Sequence, residues 1–242
     1  MHCLAPATPE EQNKMVKVFA DGADIVEMHK AALNPLVRGF TTNPSLMKKA
    51  GVRDYRAFAY RAIAAFPDYP LSLEVFADDF NEMEKQAHEI ASWGDNVYVK
   101  IPVCNTKGAS AAPLISRISA AGIKVNVTAI LCRSQVDEVF DSINNSPAIV
   151  SIFAGRIADT GRNPAGIITH ALGKKKSTHE VLWASPRQVF DYYTADSLGC
   201  DIITMPPELI AKLPLEGKNL AEYSRETAQM FYDDAKAAGY SM

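Results

Sequence analysis

Short apolar runs alternate along this chain with longer stretches in which apolar positions recur every three or four residues. The short runs are KVFADG (17–22), GFTTN (39–43), LSLEVF (71–76), VYVKIP (97–102), KVNVTAI (124–130), AIVSIFAG (148–155), EVLWAS (180–185) and DIITMP (201–206). Each has strand length and is bounded by polar or turn-forming residues. In DYRAFAYRAIAAF (54–66), Tyr55, Phe58, Ala59, Ala62, Ile63 and Phe66 recur at helical spacing. DFNEMEKQAHEIASW (79–93), RSQVDEVFDSI (133–143) and SPRQVFDYYTADSLG (185–199) read likewise as amphipathic helices. Helices are the natural crossovers between parallel strands. Eight strand and helix units in 242 residues therefore predict an α/β protein, a (β/α)8 TIM barrel, for which ~250 residues is typical. A doubly wound open sheet is the competing arrangement, but no glycine-rich phosphate fingerprint follows any strand. The segment 219–240 predicts an additional C-terminal helix, with Asn219 as N-cap and Gly239 as stop. Residues 1–16 read as an N-terminal extension, and no repeat or linker divides the chain, so 1–242 is expected to be one domain.

Composition narrows the function classes. Hydrophobic content of 48% is ordinary for a globular protein, and a net charge of −3 supplies no basic field for nucleic acid or an anionic membrane. Cys3, Cys104, Cys132 and Cys200 are widely scattered, without the close pairs of a zinc site or the density of a disulfide scaffold. Reduced thiols in a cytoplasm are expected. The first residues show no basic start followed by an apolar core, and no stretch approaches the ~20 apolar residues of a membrane span. A soluble, cytoplasmic protein with no metal is the reading.

In barrels of this kind functional groups gather at the C-terminal ends of the strands. Those ends carry Asp21, Thr42, Asn43, Glu74, Lys100, Asn126, Thr128, Ser151, Arg156, Ser185 and Arg187. Any barrel has some polar rim, so the signal is their joint placement. Lys100 stands inside an apolar strand, and a lysine is almost never buried without a partner or a task. A desolvated amine that attacks a ketone becomes a Schiff base, an electron sink for breaking or making the neighbouring carbon–carbon bond. Asp21 and Glu74 offer carboxylates for the proton transfers. Arg156, Ser185 and Arg187 suit a phosphate, helped by the free N–H groups of a helix beginning near Pro186. A ketose phosphate would satisfy both ends.

With these residues assembled, the chain resembles the transaldolase family of class I aldolases, in particular its short single-barrel members that include fructose-6-phosphate aldolase. The resemblance runs over roughly residues 17–240 through FADGAD (19–24), GFTTNPSLM (39–47), SLEVF (72–76), VKIPV (99–103), VNVTAI (125–130), SIFAGRIAD (151–159) and WASPRQ (183–188). It implies that Lys100 is the Schiff-base lysine and Asp21 the acid/base group for the hydroxyl beside the cleaved bond. Glu74 and Thr128 would position a catalytic water. Asn43, Asn126 and Ser151, with Thr42 beside them, would bind substrate hydroxyls, and Arg156, Ser185 and Arg187 the phosphate. No cofactor is implied, because the imine replaces the metal of other aldolases. The partners implied are phosphorylated sugars and further copies of the chain, in a pentamer or decamer. Two reactions occur in the family: transfer of a dihydroxyacetone unit to an aldose phosphate, or its release. The releasing branch has glutamine and tyrosine where this chain has Glu74 and Phe153, which favours transfer, as in the pentose phosphate pathway. Ala20, Gly22, Ile152 and Pro186 depart from the family pattern.

Other residues have plainer readings. Cys104 and Cys132 are expected to be small buried hydrophobes near the site. Lys174, Lys175 and Lys176 read as a solvated loop, and His29, His88 and His170 lie in helical segments away from the mouth. A barrel that only binds or scaffolds is the alternative of another class, since fold alone proves no activity.

Overall fold

A computed structural model describes residues 15–240. Most of the expected N-terminal extension, including Cys3, lies outside the described residues. Eight parallel strands close a barrel in chain order: β1 (Lys17–Asp21), β2 (Val37–Thr41), β3 (Leu71–Glu74), β4 (Val97–Pro102), β5 (Val125–Ile130), β6 (Ala148–Ile152), β7 (His179–Trp183) and β8 (Ile202–Met205). The predicted (β/α)8 barrel is therefore the fold. The helices are α1 (Ile25–Ala32), α2 (Pro44–Lys49), α3 (Tyr55–Ala65), α4 (Phe80–Ala91), α5 (Ala112–Ala120), α6 (Arg133–Ser142), α7 (Ala154–Asp159), α8 (Ala165–Lys174), α9 (Phe190–Leu198), α10 (Pro207–Ile210) and α11 (Leu220–Ala237). No helix among the described residues is long and apolar enough to cross a membrane.

Carboxylates and amides start several of these helices by accepting the free N–H groups of the first turn. Asp24, Asp54 and Asp79 cap α1, α3 and α4 in this way. Asn43 caps α2, whose first residue is Pro44, where a proline forfeits no hydrogen bond.

Strand alternation sorts the side chains into two cores. Phe19, Ile149, Leu182, Ala184 and Ile202 fill the barrel interior, with Tyr98 and Phe153 packed against them. Val18, Val99, Val127, Val150 and Ile203, fully buried, belong to the alternate positions, which face the helix layer. Gly39 follows from this packing. A Cβ there would stand 2.6 Å from the Phe19 ring, so β2 gives up a side chain to let that ring fill the axis.

At the opposite end of the strands from the candidate site, His179 opens β7 and is 2% exposed. Its Nε2 donates to the Asn144 carbonyl at 2.8 Å, while Nδ1 accepts from the Lys176 amide. Burial holds its pKa below the ordinary value of 6.5. The folded state thus favours neutral imidazole, and as pH falls below about 6.5 the unfolded chain takes up the proton first. Stability is expected to decline from there downward. Urea midpoints between pH 8 and 5 check this: a His179→Gln variant should show a flatter pH dependence than the parent chain.

The chain divides into two compact units, one ending at Ile210 and one beginning at Ala211. The second holds a short 3-10 turn, Leu213–Leu215, and α11. Asn219 accepts from the Ala221 and Glu222 amides to cap α11, and Gly239 follows it with φ +71°. The terminal helix is where the sequence places it.

Candidate active site

Strand register brings the chemistry together. Glu74 stands beside Lys100 across β3 and β4, Lys100 beside Asn126 across β4 and β5, and Asp21 beside Thr41 across β1 and β2. Side chains that alternate inward from these strand ends converge on one mouth. A cavity of about 130 Å³ opens there, with Asp21, Asn43, Lys100, Thr128, Phe153 and Arg156 among its walls. Larger grooves, of about 430 and 550 Å³, lie beside this mouth, the second reaching Asp21, but Lys100 lines neither.

Lys100 is 7% exposed. Its Nζ donates to the Thr42 carbonyl at 3.0 Å and lies 3.1 Å from Glu74 Oε2. The buried amine at the cavity wall thus donates to a main-chain acceptor and stands within ion-pair distance of a carboxylate. Tyr55 steadies the backbone at Glu74, since its hydroxyl donates to the Glu74 main-chain carbonyl at 2.9 Å. Burial first, then the charge of Glu74, pushes the Tyr55 phenol well above its ordinary range, so it remains a donor.

Asp21 accepts from the Thr41 hydroxyl at 3.0 Å. Burial raises its pKa above the ordinary carboxylate value, outweighing the opposing pull of Lys100 and of the Thr41 hydrogen bond; Glu74 adds a smaller push upward. A carboxyl shifted this way exchanges a proton nearer to neutral pH than a solvated aspartate does.

On β5, Ala129 has φ +63° and the pairing with β6 slips between Val127 and Ile130. Such a conformation is costly for a residue with a Cβ, and it bulges the strand just after Thr128 before pairing resumes at Ile130. Thr128 Oγ1 is buried at the cavity wall without a hydrogen-bond partner in the protein. A buried hydroxyl of that kind favours a polar occupant.

The deeper polar residues form a chain rather than a wall. Ser151 Oγ donates to Asn126 Oδ1 at 2.6 Å, and Asn126 Nδ2 donates to Ser72 Oγ at 2.9 Å. Asn126 is fully buried among these partners and is not at the cavity wall, whereas Ser151 is.

The loops after β6 and β7 interlock. Gly155 donates its amide to the Ala184 carbonyl at 3.3 Å, and a Cβ at Gly155 would stand 1.5 Å from the Ser185 carbonyl oxygen. Ser185 itself has φ +61°. Gly155→Ala must therefore move the Ser185 backbone. We expect a loss of about 2 kcal/mol, or roughly 4–8 °C in the melting midpoint, read by a thermal melt of the variant against the parent chain.

Several expected residues take different places. Arg156 belongs to α7 rather than to the end of β6, and its guanidinium lies 5.3 Å from the Phe153 ring centroid. Arg187 is absent from the cavity wall; its guanidinium engages both carboxylate oxygens of Asp159. The helix expected from Pro186 begins at Phe190, and Asp191 takes the Arg187 and Gln188 amides that were expected to be free. Thr42 turns its hydroxyl to the Ser72 carbonyl and contributes its own carbonyl to Lys100. Thr41 and Thr204, at the wall, were missed by reading strand ends alone. Following alternation from Asp21 to its register partner identifies Thr41. Cys104 is half-buried and Cys132 exposed, contrary to the expectation for both: Cys132 occupies the N-cap of α6, outside the strand core.

Comparison with known proteins accords with this geometry. The family model described as Transaldolase/Fructose-6-phosphate aldolase matches residues 18–242. Proteins named probable transaldolase from Dehalococcoides mccartyi and Methanococcus maripaludis are each 33% identical over 214 residues, covering 86% of this chain and 96% and 95% of theirs. One from Streptococcus agalactiae is 31% identical, covering 87% of this chain and 97% of its own. Among solved structures, 3-hexulose-6-phosphate synthase from Salmonella typhimurium superposes with a TM-score of 0.58 at 14% identity, covering 79% of this chain and 89% of that one. KGPDC from Streptococcus mutans gives 0.55 at 11%, covering 79% and 88%. These two share the fold.

Proposed function

This chain belongs to the transaldolase/fructose-6-phosphate aldolase family, and from that premise we propose that it is a transaldolase acting through a Schiff base on Lys100. The observation that carries the reading is the buried Lys100 amine at the cavity wall, 3.1 Å from Glu74 and in the same mouth as Asp21. The donor is a ketose phosphate, fructose 6-phosphate or sedoheptulose 7-phosphate. The acceptor is an aldose phosphate, erythrose 4-phosphate or glyceraldehyde 3-phosphate. This is the chemistry of the pentose phosphate pathway, which we place in the cytoplasm.

Lys100 Nζ attacks the ketone carbon, and loss of water leaves a protonated imine. Glu74 and Thr128 hold the water that relays protons in this step and in the final hydrolysis. Asp21 takes the proton from the hydroxyl on the far side of the bond to be broken. The bonding pair flows to the iminium as an enamine, and an aldose phosphate departs. The acceptor aldehyde then adds to the enamine, Asp21 returns its proton to the new alkoxide, and hydrolysis frees the ketose and Lys100. Asn43 and Ser151 orient hydroxyls, with Asn126 holding Ser151 and Thr42 holding Lys100. Arg156 and Ser185 receive the phosphate, with Arg187 supporting that end. Phe153 offers no hydrogen bond to the water, which favours transfer over hydrolytic release.

A coupled assay with fructose 6-phosphate, with and without erythrose 4-phosphate, tests this. Transferase activity requires the acceptor for glyceraldehyde 3-phosphate to accumulate. Cleavage without acceptor, with free dihydroxyacetone formed, would assign the aldolase reaction instead. Arg156→Ala is expected to raise KM about tenfold or more for a phosphorylated donor and much less for an unphosphorylated one. Steady-state kinetics on both donors measure the difference, and equal effects would contradict phosphate binding there.

A further inference from the structure

The Thr41 hydroxyl has two partners. It lies 3.0 Å from Asp21 Oδ1 and is also hydrogen-bonded to Thr204 Oγ1. The topology explains the row: β1 lies between β2 and β8, with Asp21 in register with Thr41 and Phe19 with Thr204. A threonine hydroxyl carries one proton, while an ionised carboxylate carries none. When Asp21 is ionised, Thr41 must give its proton to the carboxylate, and Thr204 must then give its own to Thr41. When Asp21 is protonated, the row can reverse, with Asp21 donating to Thr41 and Thr41 to Thr204. The direction of two hydroxyl protons is thus tied to the charge of one carboxyl.

We propose that Thr204 is a positioning residue for the reaction: by donating to Thr41 it commits the Thr41 proton to Asp21 and stabilises the ionised, proton-accepting form of that carboxyl. The inference rests on the reading that Asp21 exchanges the substrate proton. Hydrogen bonds in a row polarise one another, so removing the outer donor weakens the inner bond even though Thr41 remains. Other groups act on Asp21 as well. Lys100 from β4 favours its charge and Glu74 from β3 opposes it, while Arg156 of α7 shares the cavity wall. Asp24, Glu27, Lys49 and Glu208, from the elements around β1, line the neighbouring groove that also reaches Asp21. None of these changes when the Thr204 hydroxyl is removed.

Three variants isolate the hydroxyl. Thr204→Val keeps the branched shape without the donor, Thr204→Ala removes donor and bulk, and Thr204→Ser keeps the donor. The Asp21 carboxyl is titrated by carbon-13 NMR in each full-length protein, and the acidic limb of kcat/KM for donor cleavage is measured alongside. The valine and alanine variants should titrate about one pH unit higher than the parent chain, with the kinetic limb following, while serine stays at the parent value. An unchanged carboxyl midpoint in both valine and alanine variants overturns the proposal, as does a serine variant that shifts as far as valine. Because the NMR titration needs no turnover, a shifted midpoint in a chain that cleaves no sugar would uphold the role of Thr204 toward Asp21 and reject the transaldolase reading.

Discussion

Lys100→Met is expected to lower turnover by about a thousandfold or more, measured in the coupled assay at saturating donor. Methionine fills similar space, so packing around the site is largely kept, but among the described residues no other amine stands at the cavity wall to form the imine. The substitution also removes the donor for the Thr42 carbonyl and the cation beside Glu74. A buried charge that loses its partner is destabilising, and the variant should melt lower than the parent chain. Adding Glu74→Gln should recover part of that stability and none of the activity. This double substitution separates a loss of chemistry from a loss of fold. Turnover near the parent rate in Lys100→Met would remove the lysine from the mechanism.

Asp21→Asn leaves a different signature. Asparagine keeps the size of the side chain and an oxygen able to accept from Thr41, but it carries no titratable proton. Carbon–carbon cleavage should slow by about 10²–10⁴-fold, while imine formation at Lys100 continues and remains trappable by borohydride. The variant should also be more stable than the parent at neutral pH. Burial raises the Asp21 pKa, so above that pKa the folded state carries an ionised carboxyl that the unfolded chain solvates better; as pH falls through it, the penalty disappears. The advantage of asparagine should therefore shrink in acid, which urea titrations at several pH values would show. Undiminished cleavage would contradict the role given to Asp21.

What the sequence could and could not reveal divides along physical lines. The eight strands were readable because each is a compact apolar run, and a closed parallel barrel buries both faces of its strands. Lys100 stood out because a cation inside VYVKIP conflicts with its surroundings. Strand ends were less legible. Arg156 read as the end of β6 yet lies in the first turn of α7, where Gly155 packs against the Ser185 carbonyl. Thr41 was not legible without register: one residue along a strand exchanges the barrel interior for the other side of the sheet. The destination of Arg187 depends on Asp159, twenty-eight positions earlier in the chain, and no local pattern announces such a pair. Likewise the pairing of Thr204 with Thr41 spans the closure of the barrel, a contact that exists only once β8 meets β1.

Everything in the proposed mechanism passes through a covalent imine between Lys100 and the donor. Incubating the protein with fructose 6-phosphate and sodium borohydride, followed by peptide mass spectrometry, tests it most directly. A reduced three-carbon dihydroxyacetone adduct is expected on Lys100, absent without borohydride and absent from Lys100→Met. A chain that turns over the sugar yet yields no adduct, or yields it on another lysine, would contradict it.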